Sequence, residues 1–299
     1  MMDNGHFPHC RRADVLKSIL ALGALGACGC RSGLGVASSR RIRLGVQMYS
    51  LKDLVERNMA DAFASVRALG LEGVELWNMG TFDPKEVRRL LDANGLVACG
   101  NHVDLDHLRP KEISRTIDRT LTAGARLVIV PWLDPRDEKL DPLKAGDWWR
   151  EKADAMNAAA AELAKHGCRL GYHTHSHEFA DRIDGRSVWE LLMERWIPGI
   201  RTQYDFCMVM RGGGDAVEWM KRAPGRSETV HFRDNYDRAR GFYGVIGRPP
   251  PGVKALDWPR IYDAVRADIT EWAIIEPVSS DSFDTVHASL EALRKANFP

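Results

Sequence analysis

Imidazoles and carboxylates recur at the ends of apolar runs through the second half of this chain. Tyr172-His173-Thr174-His175-Ser176-His177-Glu178 gathers three histidines and a glutamate. Tyr204-Asp205, His231-Phe232-Arg233-Asp234 and Ile275-Glu276 each close a run with an acid or an imidazole, as Asn101-His102 does earlier. Nitrogen and oxygen donors without a thiolate suit a hard or borderline divalent cation such as Mn, Co, Mg or Zn. A single strand-end histidine is most often a packing residue, so the weight rests on His173, Asp205, His231 and Glu276 occurring together. A buried carboxylate such as Asp205 or Glu276 needs a positive partner, which points the same way. In an extended run His173 and His175 share a face, with Thr174 on the other. His177 reads as a loop residue.

Short β-type runs alternating with helical patterns must carry these groups. Strands are expected at 44–49, 73–77, 97–102, 127–132, 169–174, 202–206, 229–233 and 272–276. Most are continuous apolar stretches, as parallel strands buried on both faces should be. Helices are expected at 59–69, 84–94, 111–123, 148–166, 188–195, 216–222, 258–267 and 283–295. Leu69-Gly70, Asn94-Gly95, Ala123-Gly124 and His166-Gly167 supply stops, and Asp83-Pro84 a start. Eight β-then-α units predict a single-domain α/β fold, the (β/α)8 barrel, whose C-terminal strand ends share one mouth. The rival doubly wound sheet wants a glycine-rich phosphate turn after its first strand. Gln47-Met48-Tyr49-Ser50 has none, and Arg211-Gly-Gly-Gly214 follows the sixth strand without a GK[ST].

The 299 residues are 44% hydrophobic and 28% charged, with a net charge of +1, an ordinary globular balance. That balance argues against a nucleic-acid partner, which a clustered positive excess would attract. Six cysteines without a CxxC pair suggest neither a zinc finger nor a disulfide framework. Residues 1–43 read as an address, and residues 44–299 as the barrel. Arg11-Arg12, the apolar run from Ile19 to Leu25 and the small residues after it are laid out as a twin-arginine-like export signal, although Asp14 departs from that pattern. Leu25-Gly26-Ala27-Cys28 resembles a lipobox, with Cys28 as the lipidated residue, and Gly33 to Ser39 resemble a tether. The expected location is therefore periplasmic or membrane-anchored, with a lipid as the one membrane contact.

Gly45-Val-Gln-Met-Tyr-Ser-Leu51, Leu69-Gly-Leu-Glu-Gly-Val-Glu75, Asn101-His102, Tyr172-His-Thr-His175 with Glu178-Phe179, Tyr204-Asp205, His231-Phe-Arg-Asp234 and Trp272-Ala-Ile-Ile-Glu276 together resemble the xylose isomerase-like sugar isomerase/epimerase superfamily. The resemblance runs from about Leu44 to the C-terminus. It implies a TIM barrel holding one divalent metal, commonly Mn, on a Glu, Asp, His and Glu from strands five to eight, and often paired chains. Asp205, His231 and Glu276 match the last three by type and strand. At strand five His173 stands where the family has Glu, and Glu178, five residues on, is the other candidate for the place.

That departure bears on the chemistry. In the epimerase branch two metal-bound glutamates move protons on opposite faces of the substrate carbon, and one of them is missing here. A metal-polarised carbonyl and a base for the acidified α-proton remain. Glu276, His175 and Glu178 are the candidate catalytic groups, with His102 and Glu178 also as substrate contacts. Tyr49, Trp77 and Trp132 near the ends of strands one, two and four offer flat faces to a sugar ring, and Arg233 and Asp234 offer hydrogen bonds to hydroxyls. The expected function is a metal-dependent isomerase or epimerase on a free sugar or sugar derivative. The alternatives are a lyase or dehydratase on a keto-sugar or 3-keto-glycoside, an inactive sugar binder, and a phosphodiester hydrolase, since apurinic endonucleases share the barrel. An exported enzyme would seldom meet sugar phosphates, which favours an unphosphorylated substrate.

Overall fold

Eight parallel strands close on themselves in sequence order: β1 (Arg43–Gln47), β2 (Gly73–Leu76), β3 (Val97–His102), β4 (Leu127–Val130), β5 (Arg169–His173), β6 (Arg201–Asp205), β7 (Thr229–Phe232) and β8 (Trp272–Ile275). The ring is sealed by β1 lying parallel to β8, with Arg43 opposite Trp272 and Val46 opposite Ile275. The structure, a computed structural model, describes residues 41–298 apart from 78, 80, 235, 238–241, 244, 250–254 and 278–281. The expected export signal, Cys28 and the tether lie outside the described residues. Among the described residues no helix is long and apolar enough to cross a membrane.

Eight main helices follow the strands: α1 (Lys52–Ala68), α2 (Pro84–Ala93), α3 (Ile113–Ala123), α4 (Ala145–Lys165), α5 (Val188–Arg195), α6 (Ala216–Arg222), α7 (Trp258–Ala267) and α8 (Ser282–Lys295). Their starts are written in side chains. Asp83 caps α2 by accepting from Lys85 N at 3.0 Å, and Ser187 with Glu190 forms a reciprocal capping box on α5. The expected start of α1 at Met59 falls inside the helix, which begins at Lys52. Asn58 is non-helical there (φ −162°, ψ 100°), and its Oδ1 accepts from Ala60 N at 3.1 Å. Asn58 thus re-caps the helix in mid-course, and the sequence pattern registered the second segment.

Outward-facing strand residues pack under the helices, as Val74, Val128, Tyr172 and Tyr204 do, all fully buried. Inside, the lower lumen is filled by bulk: the Trp272 ring occupies the space a side chain at Gly73 would need, 2.5 Å from where a Cβ would lie. The Arg43 guanidinium stacks on that ring at 3.9 Å from its centroid. At the closed end Glu228 joins Arg169 of β5 at 2.8 Å to Arg201 of β6 at 2.5 Å. With the lower lumen plugged, polar groups can collect only in its upper half, at the strand C-termini.

Candidate functional site

Alternation along each strand sets which residues enter the upper lumen. Gln47, Glu75, His102, His173, Gln203, Asp205 and His231, with Glu276 just after β8, are all buried. One donor atom each from His173, Asp205, His231 and Glu276 lies within 4.8 Å of the other three, and a second triad, His102, His173 and His231, meets the same condition. The four residues come from or directly follow strands β5, β6, β7 and β8. Two nitrogens and two oxygens gathered this closely could hold a divalent cation.

Glu75 of β2 holds this group in place. Its Oε2 accepts from Gln47 Nε2 at 2.7 Å, pairs with His231 Nε2 at 2.6 Å and lies 2.9 Å from His102 Nε2; its Oε1 accepts from Gln203 Nε2 at 2.6 Å. The other ring nitrogen of His231, Nδ1, faces Glu276 Oε2 at 3.0 Å. Burial works against an imidazolium at His231, but Glu75 and Glu276 outweigh it and lift the pKa to about 10. Burial likewise works to raise the pKa of Glu75, yet His102 and His231 hold its carboxyl well below the usual range. A carboxylate on the far nitrogen of a ligating histidine is the arrangement that fixes ring orientation and basicity in metal sites. Gln203 does the same for His173: its Oε1 accepts from Nδ1 at 3.1 Å, leaving the lone pair on Nε2. Burial, reinforced by His231, keeps the His173 pKa well below that of a free imidazole, so the ring is neutral.

Asp205 has two duties. Oδ1 caps the one-turn helix Phe206–Arg211 through Met208 N at 2.9 Å. Oδ2 has no hydrogen-bond partner; Arg233 Nε lies 2.5 Å away as a charge contact without hydrogen-bond alignment. The same guanidinium reaches Glu276 Oε2 through Nη1 at 3.0 Å. Burial alone would raise the pKa of Glu276, but Arg233 and His231 bring it down to about 2. Burial raises that of Asp205, with Arg233 as the main opposing influence. Three buried carboxylates (Glu75, Asp205 and Glu276) thus share the lumen with one guanidinium, which contacts Asp205 and Glu276. A divalent cation would bring the set to neutrality, with the His231 proton leaving as it enters. A buried carboxylate oxygen without a hydrogen bond, a pre-oriented imidazole and this charge balance all fit a divalent metal.

The other expected site residues divide. His102 is in the buried network, within 3.0 Å of Gln203 Oε1. His175 packs edge-on against Trp132 with ring centroids 4.6 Å apart, and its Nδ1 is buried without a hydrogen-bond partner. Burial, together with Arg233, keeps His175 neutral. Tyr49 and Trp77 meet edge-to-face at 5.0 Å. Trp132 remains 42% exposed at its end of β4, with its indole N–H donating to Asp137 at 2.6 Å.

Glu178 is not brought to the group. Its Oε1 accepts from Tyr172 OH at 2.6 Å and its Oε2 from His175 N at 2.8 Å. Tyr172 precedes His173 and therefore points out of the barrel, and Glu178 follows it behind the wall. Arg233 is only 4% exposed and engaged with two carboxylates, so it lies in the lumen and not at a sugar-facing rim. Asp234 accepts from Trp258 Nε1 at 3.0 Å and Gly247 N at 2.7 Å, tying the loop after β7 to α7. His177, expected in a loop, is buried with Nε2 at 2.8 Å from Leu133 O.

Gln47, Glu75 and Gln203 carry functions that residue type alone did not announce. Their one signal is position: each is a polar residue at an inward place near the end of an otherwise apolar strand, and Gln203 shares the Asp205 face.

Comparison with known proteins follows the same lines. The family model described as xylose isomerase-like TIM barrel matches residues 63–296. No curated protein matches the chain. Among solved structures, a sugar phosphate isomerase/epimerase from Parabacteroides distasonis is 19% identical with a TM-score of 0.71, over 88% of this chain and 99% of that one. An L-ribulose 3-epimerase is 15% identical at a TM-score of 0.59, over 86% and 97% of the two chains. The probable 3-DHS dehydratase of petrobactin synthesis from Bacillus anthracis is 15% identical at 0.57, over 85% and 99%. At these identities the likeness is one of fold.

Proposed function

Because the chain belongs to the xylose isomerase-like TIM barrel family, we propose that it is a divalent-metal-dependent isomerase or epimerase that moves a proton beside the carbonyl of an unphosphorylated sugar or sugar derivative. The observation that carries this reading is the buried set His173, Asp205, His231 and Glu276, with donor atoms within 4.8 Å of one another. A divalent cation held there would polarise the substrate carbonyl and its neighbouring hydroxyl, acidifying the adjacent C–H. Mn is the first choice, with Co, Mg and Zn as alternatives for this donor set.

The chain's own groups divide the remaining work. Glu276, ionised at neutral pH, has a carboxylate able to take the α-proton. Neutral His175, with its uncommitted Nδ1, exchanges a proton with a substrate oxygen. Glu75 and Gln203 keep His231 and His173 in a single orientation, and Arg233 balances Asp205 and Glu276. Trp132 and the Tyr49–Trp77 pair present apolar faces to C–H surfaces of the sugar.

His173 favours a second reading. With an imidazole at the strand-five position, a carboxylate base is present on one side only, so a proton leaves and returns from the same face or a β-substituent departs instead. The lyase outcome on a keto-sugar or 3-keto-glycoside follows from that asymmetry. Incubating Mn-loaded protein with free ketoses, aldoses and 3-keto-glycosides in D2O separates the readings. Appearance of the isomeric or epimeric sugar with solvent deuterium at the α-carbon marks isomerisation or epimerisation, and aglycone release marks elimination. Neither product from any of these substrates overturns both.

We also propose export, with Cys28 lipidated. Labelled palmitate should enter the wild-type chain and not Cys28→Ala; equal labelling would exclude Cys28 as the anchor.

A further inference from the structure

We propose that the cavity between the β3 end and α3 is a second-ring subsite, so that the substrate is a disaccharide or glycoside carrying a neutral, hydroxyl-rich group beyond the reacting sugar. This rests on the carbohydrate reading above and goes beyond it in naming the substrate class. The cavity has a volume of about 430 Å3, within the range of roughly 300–1,000 Å3 for small-molecule sites. None of the four candidate metal donors lines it. His102 does, and His102 also stands in the buried network within 2.9 Å of Glu75. His102 thus stands between this space and the donor group, and a substrate spanning the two would lie along it.

The walls are built in advance. Arg119 of α3 donates to the carbonyls of Met79 and Phe82, clamping the segment after β2 against the helix. Asn101 Nδ2 donates to Thr120 Oγ1 at 2.9 Å, fixing the floor to the same helix, and Thr116 Oγ1 donates to His107 O at 2.8 Å. Trp77 supplies an apolar wall, braced by Tyr49. The rim carries Asp104, Glu112 and Arg115, all exposed and, among the described residues, with no side-chain partner. Asp104 and Glu112 are balanced by Arg115 and by Arg119, whose guanidinium is spent on backbone carbonyls, so the lining has no positive excess to hold a phosphate or carboxylate substituent. Spare acceptors and donors around an aromatic wall suit hydroxyls and ring C–H groups instead.

The test is calorimetric binding of glucose, maltose, cellobiose and glucose 6-phosphate to the full, Mn-supplemented protein, repeated with Thr116→Trp, which fills the cavity, and Arg115→Ala, which leaves it open. At least one disaccharide should bind wild type tenfold or more tighter than glucose. Thr116→Trp should cut that ratio at least tenfold, and Arg115→Ala about threefold. A ratio unchanged in both variants, with glucose still bound, overturns the subsite and leaves the carbohydrate reading standing. Glucose 6-phosphate binding tighter than either disaccharide, and losing that advantage in Arg115→Ala, overturns the neutral-substituent assignment. Failure of every sugar to bind wild type removes both readings.

Discussion

Arg233 and a divalent cation need the same two carboxylates. The guanidinium, 4% exposed, is the counter-charge to Asp205 and Glu276 in the structure. Removing one partner of such a buried pair costs about 3–5 kcal/mol, because the other charge is left uncompensated. Arg233→Met should therefore lower the melting temperature in EDTA, while raising Mn affinity at least tenfold in a calorimetric titration. Equal melting of the two proteins in EDTA would remove Arg233 from this role. Glu75→Gln probes the opposite side of the site. It keeps a hydrogen-bonding amide but loses the charge that orients His231, and Mn affinity should drop by about 10- to 100-fold. An unchanged affinity would mean that His231 is held by packing alone. Asp205, His231 and Glu276 were legible in the sequence because type and strand-end position coincide. Alternation already places Arg233 on the inward face of His231, but its residue type suggested contacts to sugar hydroxyls; packing across the lumen decides that it pairs with Asp205 and Glu276 instead.

The elements themselves were almost fully legible. All eight strands lie within two residues of their expected ends, since continuous apolar runs bounded by glycine, proline and polar turns admit little else. The segment after β5 was not. A histidine-rich run offers no periodicity, and the one-turn helix His177–Ala180, which carries Glu178 back toward Tyr172, is set by tertiary contacts. That turn is pressed against the segment after Phe206–Arg211 at Gly212. A Cβ on Gly212 would overlap the Ser176 carbonyl oxygen and lie 2.8 Å from Phe179 Cβ. Gly212→Ala should destabilise the fold by about 1–3 kcal/mol, as overpacking does, and displace His175 with its loop. Chemical denaturation reads the first effect, and turnover with loaded metal reads the second. A variant as stable as wild type would show that the two segments slide freely past each other.

For the molecule as a whole, one ionic cluster ties stability to pH. The folded pKa values of Glu75 and Glu276 lie below the ordinary 4.5, so their contribution is fully present above that pH. It fades as acid approaches the folded value, about 2 for Glu276. His231 is raised from 6.5 to about 10, so its contribution is complete below 6.5 and disappears as pH climbs through 10. The contributions share the same contacts and do not add. His173 and His175, held neutral by burial, take up protons only on unfolding and so cost stability below 6.5; metal-free protein should therefore be most stable near pH 6.5, with a downward slope on either side. Mn binding near pH 7.5 should release a proton, measurable by titration in buffers of different ionisation enthalpy. A flat stability profile from pH 6.5 to 10 in EDTA would contradict the His231 assignment.

Neighbouring staves of a barrel are normally joined only along its circumference. Here the carboxylate on the second stave also reaches the first, third, sixth and seventh, three of them by hydrogen bonds of 2.6–2.7 Å and His102 at 2.9 Å. A spoke of this kind prevents the two halves of the rim from breathing separately. Backbone amides near Gln47, His102, Gln203 and His231 should then exchange with deuterium at one common, slow rate. In Glu75→Gln the rim should part into two groups with distinct rates, and a wild-type rim already exchanging piecemeal would show the spoke to be slack.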